Sequence, residues 1–151
     1  MRFAIAIAAL SLTACSSPPE QKAAAPAPPP VADDTSRLLT ANRTAARVVP
    51  DHVLGIGPLP GGTVGDYEAK GKPYQLFIIE TASAQDAAIL LLDLKGALQT
   101  PKFIPWMGGY SGTNSGKPIF AFAKTKYLAG VAGLPDDLAD PIARELAVRL
   151  N

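Results

Sequence analysis

Pro73-Tyr74-Gln75-Leu76-Phe77-Ile78-Ile79-Glu80, followed closely by residues 83–98 (SAQDAAILLLDLKGAL), decides the fold. In the first segment Tyr74, Leu76 and Ile78 alternate with Gln75, Phe77 and Ile79. Apolar side chains therefore occupy both faces, the pattern of a central strand covered on two sides. Residues 64–69 read as its hairpin partner across the turn Lys70-Gly71-Lys72. After Thr81 the apolar period changes from two to helical. Ser83 stands as N-cap with Asp86 three residues on, an arrangement close to a capping box. Ala87, Leu90, Leu91, Leu94 and Leu98 then recur at helical spacing, which places them against the sheet. Ile89 and Leu92 widen the stripe, so this helix is predicted to be buried on more than one side. Gly96 weakens its last turn and Pro101 prevents continuation.

Downstream, residues 102–107 (KFIPWM) read as a short extended segment. Residues 108–116 (GGYSGTNSG) carry four glycines in nine positions and read as irregular loop. Residues 118–124 alternate Ile119, Ala121 and Ala123 with Phe120 and Phe122, and residues 126–133 supply a hairpin partner. Leu134-Pro135-Asp136-Asp137 turns into a last helix. Asp140-Pro141 offers an N-cap and first position for it, and Asp136 offers an earlier start. Leu138, Ile142, Leu146 and Leu150 form its stripe. The order strand, strand, helix, strands, helix predicts a small α+β domain over residues 59–151, with two amphipathic helices packed on a mostly antiparallel sheet.

Upstream the signals weaken. Residues 35–48 read as a marginal helix capped near Asp33 to Ser36, with little apolar stripe, or else as a disordered extension. Residues 49–65 continue as a Pro- and Gly-rich loop with a short strand at 52–56. Gly55-Ile56-Gly57 begins like a dinucleotide fingerprint, but Pro58 and Pro60 remove the amides that a phosphate needs. Residues 15–34 read as a disordered Pro/Ala-rich tether holding six of the 15 prolines, all between Pro18 and Pro30. Proline fixes φ and removes donors, so the segment should be extended, and at about 3.1 Å per residue it spans about 50 Å. Pro26-Ala27-Pro28-Pro29 contains a PxxP pattern; a spacer is the preferred reading.

The N-terminus has the shape of a leader. Met1 and Arg2 form a minimal positive region, and residues 3–12 (FAIAIAALSL) are apolar apart from Ser11. Ten helical residues cover about 15 Å, half a hydrocarbon core, which fits a signal-peptide core rather than a membrane span. Leu12-Thr13-Ala14-Cys15 then resembles the lipobox of bacterial lipoproteins: a branched aliphatic, two small residues and cysteine. The resemblance implies a signal peptide over residues 1–14, cleavage before Cys15, and diacylglycerol on its sulfur with palmitate-like acylation of the new amine. Two or three acyl chains on one residue make a stable anchor. Ser16 and Ser17 after the cysteine favour the outer membrane, with the domain on its periplasmic face.

Composition narrows the function classes. Without Arg2 the 14 basic side chains fall by one to match the 13 acidic ones, which leaves no basic field for nucleic acid. One Cys, lipidated in this reading, and one His exclude disulfides and Cys- or His-rich zinc sites. No cofactor or metal is expected.

Several residues invite a catalytic reading and lose it. His52 lies beside Asp51 with no nucleophile in view. Ser111 sits in Gly109-Tyr110-Ser111-Gly112-Thr113, where Thr113 spoils the nucleophile elbow. Asp86 and Asp93 share a helix face about 10.5 Å apart, too far for a glycosidase pair. The aromatic group Phe103, Trp106 and Tyr110 is more informative. With Ser111, Thr113, Asn114 and Ser115 it describes a shallow site for sugar or peptide, and Trp106, Tyr110, Ser111 and Asn114 are the candidate ligand-binding residues. The competing and preferred expectation is that Trp106 and Phe103 complete a core poor in other large side chains.

Leu59-Pro60-Gly61-Gly62, Gln85-Asp86-Ala87-Ala88, the turn Met107-Gly108-Gly109-Tyr110 and the closing helix together resemble an uncharacterised bacterial family of small secreted or envelope domains. The resemblance covers residues 59–150 and implies no activity. The expectation from all of this is a lipid-anchored envelope protein with a small non-catalytic domain that binds another envelope component, protein or glycan. A periplasmic enzyme using carboxylates or His52 is the first alternative. A structural or assembly subunit of an envelope complex is the second.

Overall fold

The computed structural model describes residues 30–151. The leader, Cys15 and most of the tether lie outside the described residues. Seven strands form one sheet: β1 (Arg43–Asp51), β2 (Pro60–Ala69), β3 (Lys72–Glu80), β4 (Gln99–Ile104), β5 (Gly109–Asn114), β6 (Lys117–Lys124) and β7 (Tyr127–Ala132). Helix α1 (Ala84–Ala97) separates β3 from β4, and α2 (Asp136–Val148) follows β7. The sheet order is β1-β2-β3-β7-β6-β5-β4, and every neighbouring pair is antiparallel. The α+β architecture with two packed helices is therefore present.

Alternation along β3 explains the layering. Tyr74, Leu76 and Ile78 join one core with Phe120, Phe122, Val131 and the α2 residues Ala139, Ala143 and Leu146. Phe77 and Ile79 join a second core with Leu91 and Leu94 from α1, Leu98 at its C-cap, and Ile119, Ala121 and Leu128. One helix thus covers each face. Leu76, Phe77, Ile78 and Ile79 have no accessible surface, and burial of each such side chain contributes about 1.5–3 kcal/mol. The β2–β3 hairpin closes through Lys70 and Gly71 at φ 52° and 74°, the two positive angles of a type I′ turn.

Four expectations are corrected. Residues 35–48 are not a helix: a 3-10 turn at Thr35–Arg37 leads into β1, an edge strand on β2. Without an apolar stripe a helix there had nothing to bury, whereas Thr44, Val48 and Val49 suit a strand. Residues 49–65 are not one loop with a strand at 52–56 either: β1 runs to Asp51, Val53–Gly55 is a 3-10 turn and β2 already starts at Pro60, while Val53, Ile56 and Leu59 between them seal the α1-side core.

The glycine-rich stretch is strand β5 rather than loop. A side chain on Gly109 would overlap the Ala121 carbonyl oxygen, so the residue is required by close strand approach, while Gly116 at φ 77° makes the following turn. Finally, α1 is buried on one side only, and the stripe of α2 departs from the reading at Leu138. α1 shows its back to solvent, with Ile89 and Leu92 49% and 55% exposed. α2 begins at Asp136 behind Pro135 and keeps Pro141 inside; Ile142, Leu146 and Leu150 pack into the core as the stripe predicts, Ala139 and Ala143 join them, and Leu138 stays exposed. Small residues on that stripe let the helix backbone sit close to the sheet.

Candidate functional site

Two pieces of chain meet beside the β4 edge. β4 ends at Ile104, and the turn at residues 105–108 carries Trp106 out of the sheet before Gly108, at φ 63°, redirects the chain into β5. Opposite, Pro135 starts α2, so Asp136, Asp137 and Asp140 stand on its first two turns. Between them lies a groove of about 530 Å³. Buried Ile104 and Phe120 form its floor, and exposed Lys102 also lines it.

Trp106 is 60% exposed and nevertheless fixed. Its Nε1 donates to Asp140 Oδ1 at 2.5 Å, while Arg144 Nε donates to Asp140 Oδ2 at 2.8 Å. The Arg144 guanidinium lies 5.9 Å from the indole centroid. The Arg144 hydrogen bond, followed by the one from Trp106, holds the Asp140 carboxyl below the usual carboxylate range. Phe103 is also exposed, at 53%, so the expectation that these two aromatics complete the core is corrected. The core is filled instead by Phe77, Phe120, Phe122, Tyr67 and Tyr127.

The four candidate residues are not brought together. Strand alternation sends Tyr110 and Asn114 to the α1 face, and Ser111 to the α2 face. Tyr110 packs on Phe103, its register partner, with ring centroids 5.5 Å apart, and the Lys95 ammonium lies 4.9 Å above its ring. Asn114 Nδ2 donates to the Ala97 carbonyl at 3.0 Å, tying β5 to the end of α1. Ser111 is 3% exposed and donates through Oγ to Asp136 Oδ2 at 2.8 Å. Trp106 alone opens on the groove. The aspartates were missed because the helix start was placed ambiguously. Starting α2 at Asp136 puts Asp137, Asp140 and Arg144 on one face by their spacing, and that signal was readable.

The catalytic candidates fare as follows. His52 is exposed, at φ 50°, with Nδ1 2.7 Å from Asp51 Oδ2. Asp86 accepts from Ser83 at the α1 N-terminus, and Asp93 is exposed on the same helix. Among the described residues, no three His, Cys, Asp or Glu side chains cluster as metal ligands, and no helix is long and apolar enough to cross a membrane. A second cavity of about 680 Å³ lies where residues 30–32 cross Pro50, Gly61 and Glu80, at the point where the described chain begins. The groove at Trp106 is the better formed site: an apolar floor, a carboxylate wall and an aromatic held upright can grip a ligand without reorganising. No protein-family model matches the chain, and no curated protein or solved structure matches it.

Proposed function

We propose that the chain is a lipid-anchored protein of the bacterial cell envelope, attached through Cys15, whose folded part is a non-catalytic binding module that takes another envelope component at the Trp106 groove. One observation supports the binding half. An exposed tryptophan fixed by a hydrogen bond and flanked by an apolar floor has already lost the side-chain freedom that binding would otherwise cost. Aromatic anchors of this kind dominate binding energy in many interfaces. The anchoring half rests on Leu12-Thr13-Ala14-Cys15. Its favoured location is the periplasmic face of the outer membrane.

Each half has its own test. Cys15→Ala should leave the membrane fraction and take up no labelled fatty acid; retention with uptake would overturn the anchor. Trp106→Ala removes a side chain that is 60% exposed and makes one hydrogen bond, so it should lower stability by about 1 kcal/mol and leave the domain folded. In-cell crosslinking of the variant should lose the partner that the unaltered protein captures, at least tenfold for an interface anchor of about 1.4 kcal/mol or more. Undiminished capture would place the binding surface elsewhere.

A further inference from the structure

The groove is charged unevenly, and this restricts its ligand. Asp136 is engaged by Ser111, and Asp140 by Trp106 and Arg144. The Asp137 side chain is exposed and forms no hydrogen bond or ion pair among the described residues. Lys102 lines the same groove and likewise has no ion pair among the described residues. Three carboxylates therefore face two cations, Lys102 and Arg144, and the surplus charge is negative.

An anionic ligand would meet that surplus without a cradle of donors. A neutral sugar could donate hydroxyls to the free Asp137 but would leave the surplus charge unanswered. A long basic side chain matches both features, because its methylene stem lies on apolar surface while its head stays with a charge in water. Asp137 and Arg144 are seven positions apart on α2, about 10.5 Å along the axis, so a cation at Asp137 stands clear of the Arg144 guanidinium. We infer that the groove receives a lysine or arginine side chain of an extended polypeptide segment, its stem over Ile104 and Phe120 beside Trp106 and its head at Asp137. The inference rests on the binding role of the Trp106 groove and adds the partner's chemistry.

Trp106 is the single tryptophan of the chain, so its emission reports the groove directly. The detergent-solubilised full chain is titrated with acetyl-Leu-Lys-Leu-amide, acetyl-Leu-Glu-Leu-amide and the neutral disaccharide cellobiose. The lysine peptide should shift the emission. Its affinity should fall several-fold between about 0.01 M and about 0.3 M salt, as screening shortens the reach of the Asp137 charge. Asp137→Asn should weaken it about three- to fivefold, the value of one solvent-exposed charge pair. An equal response to the glutamate peptide, or an Asp137→Asn variant that binds unchanged, overturns the inference. A response to cellobiose alone overturns it as well, yet leaves the groove as a binding site. Silence toward all three overturns it too, while Trp106→Ala crosslinking decides the binding role separately.

Discussion

Asp34 is held where the fold supplies partners for only part of its carboxylate. Its residue is 6% exposed; Oδ1 lies 3.2 Å from Arg37 Nε, and Oδ2 has no hydrogen-bond partner. Burial raises its pKa first and the nearby Glu80 carboxylate adds to that, against the Arg37 and Lys126 charges. A folded-state pKa above the unfolded one means that the folded protein binds more protons in the intervening window. Stability therefore falls as pH rises through that window. Asp34→Asn removes the buried charge, which the fold compensates only at Oδ1. The variant should be about 1 kcal/mol more stable at neutral pH, with the gain shrinking as pH drops into the ordinary carboxylate range. Urea melts at several pH values measure it, and a variant less stable at neutral pH would show that the Arg37 pair outweighs the burial.

At the scale of elements, α1 and α2 each present one working face. Leu94 is fully buried between α1 and the sheet, while Leu92 two residues earlier is 55% exposed. Leu94→Ala should cost about 2–5 kcal/mol and Leu92→Ala less than about 0.5 kcal/mol in chemical denaturation. Equal costs would mean that a further surface covers the back of α1. The sequence made β3, the β2–β3 hairpin and α1 legible because period, turn residues and cap all agreed there. It misled where composition and packing conflict. Glycines in β5 looked like loop, yet Gly109 is glycine because the neighbouring strand passes too close for a side chain. That misreading also blurred the site: read as loop, Tyr110 and Ser111 could converge, whereas in a strand adjacent residues must face opposite ways. Trp106 survived because its position in a turn does not depend on alternation. Its acidic neighbours come from α2 and needed tertiary proximity to be seen.

At the scale of the whole molecule, the sheet order seats β3 between β2 and β7. The β3–β7 ladder joins Glu80 to Tyr127, so α1 and three strands must be looped out before the centre of the sheet can close. Closing such loops precedes the contacts that reward it, and refolding should take milliseconds to seconds rather than microseconds. Stopped-flow fluorescence of Trp106 checks this, and microsecond folding would imply that the two hairpins assemble independently. The outer strands guard against edge pairing by chemistry: β1 carries Arg43, Arg47 and Pro50, and β4 carries Pro101 and Lys102.

The ten residues ahead of β1 do more than lead into the sheet. Asp34 donates its backbone N–H to Thr63 Oγ1 at 2.9 Å, and Tyr67 Oη donates to the Leu39 carbonyl at 2.6 Å. Arg37 reaches the carbonyl oxygens of Arg149 and Asn151, and Arg149 answers by donating to Ser36. The two ends of the folded chain are thus stitched to one another. These are scattered side-chain bonds rather than a continuous row, so they yield one at a time. With Leu38 buried in the α2-side core, this strap couples the start of the described chain to its last helix through side chains rather than through the sheet.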